Sequence, residues 1–422
     1  MKIRINTSPI YNLILFIAIM DCGIFSIFKI PVLGEDGATT SIIAALSVIL
    51  FVNCIINKSI NAALKPYRNF INFYMLLLVT FVAIMIIYSY NKYAQGPIDL
   101  FNCFRSYLYL FLVAPILFII DKFGDDRFIK ILVWSVLLIL FINVVVAVLY
   151  NFTGRLLLEE VKFGIRYGRL RGTVPTAFGV SVSYVAYKLF EEKLQKNKIK
   201  WGILLGFIVF YLVYTCMTRA LTIAVCVTLL TMYLLRPRAK TNQVIVWVMV
   251  LTLAIIFVAS GAFSVIISSF SETNEETGNS TLARQLAREY FSTYTEKNPI
   301  FSMGFVCPST EYHYKIFFGP NGTCRFDDLG IMNMWYHFGI VGVIFSWALF
   351  IRLIYLFIKI YYINKSNRRV FFAGMIAYLA STQISLCAFD GQRIFSLVCM
   401  WALFEKEAHA SSRTVKNARI EL

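Results

Sequence analysis

Charged residues are scarce in this chain of 422 residues. Asp, Glu, Lys and Arg together make up 15% of it, whereas soluble domains contain roughly a quarter. Hydrophobic residues make up 59%, and the mean hydropathy is +0.70. These values exclude a soluble globular protein, a disordered chain and a small secreted module held together by disulfides. They predict a polytopic, all-α membrane protein.

Histidine and acidic residues are also few, which limits the chemistry that the chain can carry. The three histidines are His313, His337 and His409, and they lack the spacing of zinc ligands. No acidic cluster marks a magnesium site, although a diphosphate ligand can bring a cation with it. We therefore predict no metal and no other cofactor. The 40 basic residues exceed the 23 acidic ones, but no soluble basic domain is present to bind a nucleic acid.

Twelve apolar segments are candidates to cross a bilayer, for which a helix needs about 20 apolar residues. They are Tyr11–Ile30, Thr40–Ile56, Phe70–Tyr90, Leu100–Ile120, Phe128–Tyr150, Thr173–Phe190, Trp201–Met217, Ala220–Leu235, Val244–Phe270, Ile331–Tyr362, Val370–Phe389 and Ile394–Phe404. The last is too short alone, so it either begins inside the bilayer or is re-entrant. We predict one transmembrane domain over residues 1–422 with about twelve helices.

The loop charges predict which side of the membrane each end faces. With the N-terminus inside, almost every inner loop is short and rich in Lys and Arg, as the positive-inside rule requires. The first outer loop instead carries Glu35 and Asp36 without a basic residue. Both chain ends are then cytoplasmic, with a short tail at residues 405–422 and one long outer loop at residues 271–330.

Basic residues on the outer side are the exceptions to this rule. They are Arg155, Lys162, Arg166, Arg169, Arg171, Arg219, Arg284, Arg288, Lys297, Lys315 and Arg325. An anionic ligand at the outer face would offset this charge, and guanidinium groups match phosphate oxygens with forked donors. Contact with lipid headgroups is the alternative, because these are phosphates as well.

One stretch of the long outer loop, residues 280–294, has the pattern of a surface helix. Its apolar positions are Leu282, Leu286, Tyr290 and Tyr294, its arginines are Arg284 and Arg288, and Ser280 or Thr281 is the predicted cap. The apolar residues fall on one face at i, i+4 spacing and the arginines on another. Such a helix lies on the membrane surface, either as part of a binding site or as a simple anchor.

Two motifs in and after this loop resemble the O-antigen polymerase and O-antigen ligase superfamily. Asn298–Phe305, with the sequence NPIFSMGF, is similar to the family's turn of Asn-Pro, two apolar residues and Gly-x-Gly. Ser302 departs from that pattern, because it stands where the first glycine is usual. Phe326–Gly342 resembles the family's polar pair, apolar run and Gly-Ile-Ile-Gly sequence that opens the next helix.

Three further matches bring the resemblance to roughly residues 169–342. Thr218-Arg219-Ala220 is similar to the family's S/T-R-G/A motif at the start of a span. Arg171, followed by Gly172 and then Pro175, resembles its RG…NP segment. Arg284 matches the arginine of its loop helix.

The resemblance implies a membrane-embedded glycosyltransferase with a glycosyltransferase C-like fold, in which the long periplasmic loop carries short surface helices. Such an enzyme polymerises undecaprenyl-diphosphate-linked oligosaccharide repeat units of a surface polysaccharide, at the periplasmic face of the bacterial inner membrane. Its partners would be the lipid-linked glycan and membrane lipids, together with a chain-length regulator and a flippase. An O-antigen ligase that transfers the glycan to lipid A core is the first alternative. A polysaccharide flippase or other transporter is the second.

The resemblance also implies roles for the outer arginines. The leaving group is a lipid diphosphate that gains negative charge as the glycosidic bond breaks, and fixed cations stabilise that charge. Arg219 and Arg284 are the first candidates for this role, and Arg171 is the third. The remaining candidates for binding the diphosphate or the glycan are Arg166, Arg169, Arg288, Arg325, His313 and His337.

We predict that the base that activates the acceptor hydroxyl is a carboxylate of the polar pair Asp327 and Asp328. Ligases of the family have a histidine at the position of Asp328, so this chain departs from the ligase pattern. The alternative is that the two carboxylates merely cap the next helix. His337 is within reach of this region, but a lone histidine there is more often structural.

Three other features complete the predicted outer side. Cys307 and Cys324 lie in the long loop, where an oxidising periplasm would permit a disulfide between them. Arg105 lies inside an apolar segment near its outer end, which fits either a functional charge or snorkelling to the interface. Asp390 and Arg393 are predicted to pair with each other.

Overall fold

The computed structural model describes residues 9–23, 36–154, 164–166, 169–236, 275–326, 328–363 and 368–420. For residues 36, 164–166, 169, 275–281 and 412–420 it describes the backbone alone. The predicted span Val244–Phe270 and the candidate Asp327 lie outside the described residues.

The described part of the chain is almost entirely helical. Its helices are α1 (Pro9–Asp21), α2 (Asp36–Ile56), α3 (Lys58–Leu64), α4 (Arg68–Tyr93), α5 (Pro97–Phe104), α6 (Val113–Phe123), α7 (Asp125–Thr153), α8 (Phe178–Glu191), α9 (Gln195–Tyr211), α10 (Arg219–Leu235), α11 (Glu275–Lys297), α12 (Glu311–Phe318), α13 (Met332–Ile363), α14 (Arg369–Thr382) and α15 (Ile394–Ile420). The 3₁₀ segments Lys65–Tyr67 and Arg105–Leu112 join α3 to α4 and α5 to α6.

Six continuous helical stretches in the described residues are long and apolar enough to cross a membrane. They are Gly37–Ile56, Lys58–Tyr93, Pro97–Phe123, Asp125–Thr153, Gln195–Cys216 and Met332–Ile363. Large apolar side chains remain exposed along them, such as Leu76, Phe141 and Ile351, each more than half exposed. Apolar faces of this extent suit contact with lipid tails. The chain is therefore an all-α membrane protein, as predicted.

Helix α15 is the centre of the bundle. From Ile394 to Phe404 almost every side chain is buried, and Trp401 is fully enclosed. The helix packs against α6, α13 and α8. The predicted segment Ile394–Phe404 looks too short to cross alone because it ends at the last apolar residue, whereas the helix continues into a charged stretch. In that stretch, Glu405 accepts two hydrogen bonds from Arg352 at 2.8 Å.

Contacts along α4 define two ends of the bundle. Near its start, Phe70 packs against Trp401, with 5.8 Å between ring centroids. Near its other end, the Tyr88 hydroxyl donates to the Ser302 carbonyl at 2.7 Å. Eighteen residues of helix separate the two positions, or about 27 Å, close to the thickness of a hydrocarbon core. Lys406, beside the first contact, binds Asp125 at 2.9 Å. We therefore name the two ends the Asp125 end and the Ser302 end.

The start of α10 lies at the Ser302 end. Met232, late in α10, lies beside Gly374, early in α14, so the two helices run antiparallel. The residue after α14, Gln383, accepts a hydrogen bond at 2.8 Å from the Ile331 amide just before α13. The beginning of α13 in turn contacts the turn that contains Ser302.

One local element was not predicted, and one local prediction was wrong. The short β-hairpin of β1 (Gly164–Arg166) and β2 (Arg169–Arg171) lies between α7 and α8, and three-residue strands leave no periodicity to detect. Helix α11 begins at Glu275, so Ser280 and Thr281 lie inside it and do not cap it.

The face of α11 that packs against the protein includes only part of the predicted apolar stripe. The buried positions are Ala287, Phe291 and Thr295, whereas Leu282 and Leu286 are 52% and 44% exposed. Phe291 stacks on Phe326 with 3.7 Å between centroids. Leu282 and Leu286 are therefore on the outward face of the helix, where they are free to meet lipid, whereas Tyr290 and Tyr294 are half-buried against the loop.

Candidate anion site at the Ser302 end of the bundle

Arg171, at the end of β2, reaches the N-terminus of α10. Its Nε donates to the Cys216 carbonyl at 3.1 Å, and its Nη2 donates to Thr218 Oγ1 at 2.9 Å. Thr218 immediately precedes Arg219, the first residue of α10. Two arginines that were predicted to bind the same anion are thus held on neighbouring positions.

A π turn at the end of α9 makes this contact possible. Residues Leu212–Cys216 leave the α-helical hydrogen-bond pattern, and the Met217 amide bonds the Leu212 carbonyl at 2.9 Å. Met217 then adopts the left-handed conformation, with φ of +48°. The break frees the carbonyls of Thr215 and Cys216 to accept from the segment that carries Arg171.

Gly172 allows the two segments to approach this closely. Its amide donates to the Thr215 carbonyl at 3.0 Å. A Cβ at this position would lie 2.9 Å from Tyr211 Oη and 3.0 Å from Thr215 Cγ2, which only a glycine avoids. The Tyr211 hydroxyl donates to the Thr173 carbonyl, and the Asn143 amide donates to the same carbonyl at 3.3 Å.

The N-terminus of α10 adds to the positive charge. Thr218 makes no side-chain cap to the amides of its own helix, because its hydroxyl oxygen accepts from Arg171 instead. The amides of a first helical turn point outward and carry partial positive charge. Arg171 and Arg219 are both half-buried beside them. The arrangement suits an anion with several oxygens, such as a diphosphate.

Arg284 and Asp328 form the second pair of predicted residues that the fold brings together. Arg284 Nη2 lies 3.9 Å from Asp328 Oδ1, and the two side chains are 40% and 44% exposed. At this distance and exposure the ion pair is weak. Arg284 Nε is buried and has no hydrogen-bond partner among the described residues. The guanidinium therefore has donors to spare for a ligand.

Asp328 stands apart from the helix that it was alternatively expected to cap. Helix α13 begins at Met332, and Gly330, with φ of +60°, reverses the chain in between. The carboxylate faces Arg284 of α11. This contact favours the interpretation of Asp328 as a site residue over the capping interpretation.

The two motifs on either side of Asp328 dock on each other. Gly339 breaks α13 with φ of +60°, and the helix resumes after it. The Ile340 amide donates to the Pro299 carbonyl at 2.9 Å, and the Val341 amide to the Ile300 carbonyl at 3.3 Å. A Cβ at Gly339 would lie 2.4 Å from the Pro299 carbonyl oxygen. The turn is therefore fixed to the point where the helix restarts.

Ser302 occupies a backbone conformation that glycine prefers, with φ of +50°. Its hydroxyl donates to the Tyr336 carbonyl at 2.6 Å and lies 3.1 Å from Thr295 Oγ1. The side chain is fully buried. These hydrogen bonds give serine a role at the position where the resembled motif has glycine.

His313 and His337, the two histidines predicted on the outer side, serve mainly in packing. His313 Nδ1 lies 2.9 Å from Thr310 Oγ1, and its Nε2 lies 3.3 Å from the Tyr93 carbonyl. His337 stacks on Phe326 with 4.6 Å between centroids, and its Nε2 has no partner among the described side chains and backbone. Both ring nitrogens of His313 have structural partners, whereas Nε2 of His337 has none among the described residues.

The other predicted binding residues are less constrained. Arg288 is exposed on α11, and the Arg325 guanidinium lies 5.8 Å from the Phe318 ring centroid. Arg166 and Arg169 are paired with each other in the backbone register of the hairpin. Arg105 donates to Ser41 Oγ at 3.0 Å, which ties the 3₁₀ segment after α5 to α2.

The ion pair predicted at the last outer turn is confirmed. Arg393 Nη1 lies 2.7 Å from Asp390 Oδ2. Burial raises the pKa of the Asp390 carboxyl, and the Arg393 charge opposes that rise.

No protein-family model matches the chain, and no curated protein matches it. The resemblance to the polymerase and ligase superfamily therefore stays a prediction.

Several contacts at this end were not foreseen from the sequence. Lys92 Nζ donates to the Ser302 carbonyl at 3.0 Å and lies 5.6 Å from the Tyr294 ring centroid. The Gly304 segment is held by Ser89, whose Oγ accepts from the Phe305 amide at 2.7 Å. These partners lie more than 200 positions away along the chain, and no local pattern marks them.

Proposed function

We propose that this protein is a polymerase of undecaprenyl-diphosphate-linked oligosaccharide repeat units, acting at the periplasmic face of the bacterial inner membrane. The observation that carries the proposal is the position of Arg171. It is hydrogen-bonded to the cap of α10 directly beside Arg219, which concentrates two permanent positive charges on a helix N-terminus. A lipid diphosphate is an anion of matching charge that arrives at the surface of a membrane.

The orientation follows from charge and from the two ends of the bundle. Predicted cytoplasmic residues such as Arg368 and Lys406 meet around Asp125. Predicted outer residues such as Arg171 and Arg284 lie at the opposite end. This separation supports the twelve-helix topology with both chain ends in the cytoplasm. The Ser302 end is then the periplasmic face.

The proposed reaction is an inverting glycosyl transfer. The hydroxyl of an acceptor repeat unit attacks the anomeric carbon of the donor glycan from the face opposite the diphosphate. The bond between that carbon and the diphosphate oxygen breaks, and its electron pair leaves with the lipid diphosphate. Arg171, Arg219 and Arg284 stabilise the charge that develops on the leaving oxygen. Asp328 takes the proton of the attacking hydroxyl.

The closeness of Arg284 to Asp328 supports this division of roles. The pair is exposed enough to admit a sugar hydroxyl, because both side chains are about two-fifths accessible. Asp328 in place of the ligase histidine favours the polymerase over the ligase.

The test is polymerisation in vitro. Purified protein in lipid nanodiscs is given the lipid-linked repeat unit, and the products are separated by length. We expect a ladder of chains from the native protein and single units from Arg219→Ala, Arg284→Ala and Asp328→Asn. Arg68→Ala is the matched control, since Arg68 is exposed at the Asp125 end, and it should keep the ladder.

Two outcomes contradict the proposal. Ladders of native length from both arginine variants would remove these residues from the reaction. Transfer of preformed chains to lipid A core, with no ladder from single units, would identify the ligase instead.

A further inference from the structure

Two cysteines from distant parts of the chain meet at the Ser302 end. The side chain of Cys103, on α5, lies within interaction range of the side chain of Cys307, which follows the Asn298–Gly304 turn. Both side chains are partly accessible, and both are free thiols in the structure. The neighbour of Cys307 is thus Cys103 rather than the Cys324 that the sequence suggested.

Contacts on either side hold the two thiols in register. Gln95 grips the backbone of Cys307 twice: its Nε2 donates to the carbonyl at 2.7 Å, and its Oε1 accepts from the amide at 3.1 Å. Two residues further on, Ser309 Oγ donates to Asp99 Oδ2 at 2.9 Å. Asp99 and Cys103 are four residues apart on α5, so they lie on the same face of the helix. The loop therefore runs along the face that carries Cys103.

Cys324 has a different environment. Its side chain is buried among apolar residues that include Ile316 and Phe326. A Cβ at Gly319 would lie 2.7 Å from its sulfur, so the thiol is packed against that turn. Burial raises the pKa of Cys324. An inert, buried thiol of this kind is a poor partner for exchange.

We propose that Cys103 and Cys307 form a disulfide in the periplasm and so staple the long outer loop to α5. This inference rests on the orientation proposed above but not on the glycosyl transfer chemistry. The oxidant is a protein or small-molecule disulfide. The thiolate of Cys307 attacks one sulfur of the oxidant, whose other sulfur leaves as a thiolate. Cys103 then attacks the mixed disulfide at the Cys307 sulfur, and the oxidant departs as two thiols that have gained the two electrons and two protons.

The environment of Cys307 favours it as the first nucleophile. The hydrogen bond from the Cys103 thiol lowers the pKa of Cys307, which raises the thiolate fraction at neutral pH. The residues that follow, Pro308 and Ser309, are exposed, so an oxidant can approach from that side.

The experiment is peptide mapping of the full-length protein. Membranes are treated with N-ethylmaleimide before lysis, and the protein is purified and digested without reductant. We expect one linked pair of peptides that contains Cys103 and Cys307 and has lost two hydrogen atoms, with Cys324 unlinked. The link should persist in Cys324→Ser and disappear in Cys103→Ser, where Cys307 becomes alkylated. The native protein decides the question even if the variants fold poorly.

The result that overturns the proposal is a link between Cys307 and Cys324, or alkylation of Cys307 in both the native membranes and the oxidised protein described next. To separate geometry from orientation, the reduced, purified protein is incubated with glutathione disulfide. Formation of the link only in this sample would uphold the pairing of the two thiols and refute the periplasmic orientation. Loss of polymerase activity plays no part in either readout.

Discussion

Replacing Arg171 by lysine keeps the positive charge of the candidate anion site but removes its geometry. The guanidinium uses two of its five N–H donors to bind the Cys216 carbonyl and Thr218 Oγ1. The remaining donors are available for the ligand. A lysine ammonium is a single point of donation, so it cannot make both contacts and still present a fork to a diphosphate.

The expected loss follows from these contacts. A hydrogen bond from a charged donor contributes about 1.5–3 kcal/mol, and lysine forfeits at least one of the two. Removing one donor from a group that stabilises a developing oxyanion lowers the rate by about 10²–10³-fold. On the proposed function, we therefore expect Arg171→Lys to form chains about a hundredfold more slowly than the native protein.

The assay is the initial rate of chain formation in nanodiscs, with the lipid-linked repeat unit in excess. The control is Arg68→Lys, which makes the same chemical change at the opposite end of the bundle. A rate within twofold of native for Arg171→Lys would refute the reasoning, because charge alone would then suffice. A melting curve of each variant must show that the fold is intact.

Three further predictions concern stability and reactivity. Ser302→Ala keeps the positive φ but leaves a buried carbonyl without its hydroxyl donor, so the free energy of unfolding should fall by about 1–3 kcal/mol. Ser302→Gly should lose less, because glycine adopts the positive φ without strain. Thermal melting in detergent measures both variants. Arg352→Met leaves the 4% exposed carboxylate of Glu405 without its positively charged partner and should lower the free energy of unfolding by about 3–5 kcal/mol, whereas adding Glu405→Gln should recover part of that loss. No recovery in the double variant would contradict the reasoning. In reduced protein, the lowered pKa of Cys307 and the raised pKa of Cys324 mean that maleimide should react with Cys307 at lower pH; equal pH–rate profiles would contradict the assigned environments.

Much of the fold could be predicted because it depends on composition and local pattern. Runs such as Phe128–Tyr150 follow from hydropathy alone, and helix α11 follows from its i, i+4 spacing. The buried face of α11 could not be predicted in the same way. Its outward leucines and its buried Phe291 are equally apolar, and only the position of Phe326 decides between them.

The candidate site was predictable in its residue types but not in its arrangement. An arginine in a predicted outer loop is conspicuous because such loops should be poor in basic residues, which is why Arg171, Arg219 and Arg284 could be selected. Their partners depend on tertiary structure. The contact of Arg171 with Thr218 requires a π turn, and nothing in the sequence of that turn announces it. The disulfide predicted between Cys307 and Cys324 rests on sequence spacing, which says nothing about a third cysteine brought in from another helix.

The junction at Gly339 has a consequence for which substitutions this region can tolerate. The two hydrogen bonds that join the Pro299 turn to the restarted helix involve only main-chain atoms. Side chains at Ile300 and Ile340 can therefore be exchanged without breaking the joint, whereas even a methyl group at Gly339 would collide with a carbonyl oxygen. Relatives of this chain could diverge at almost every neighbouring position and still assemble the loop and the helix in the same way.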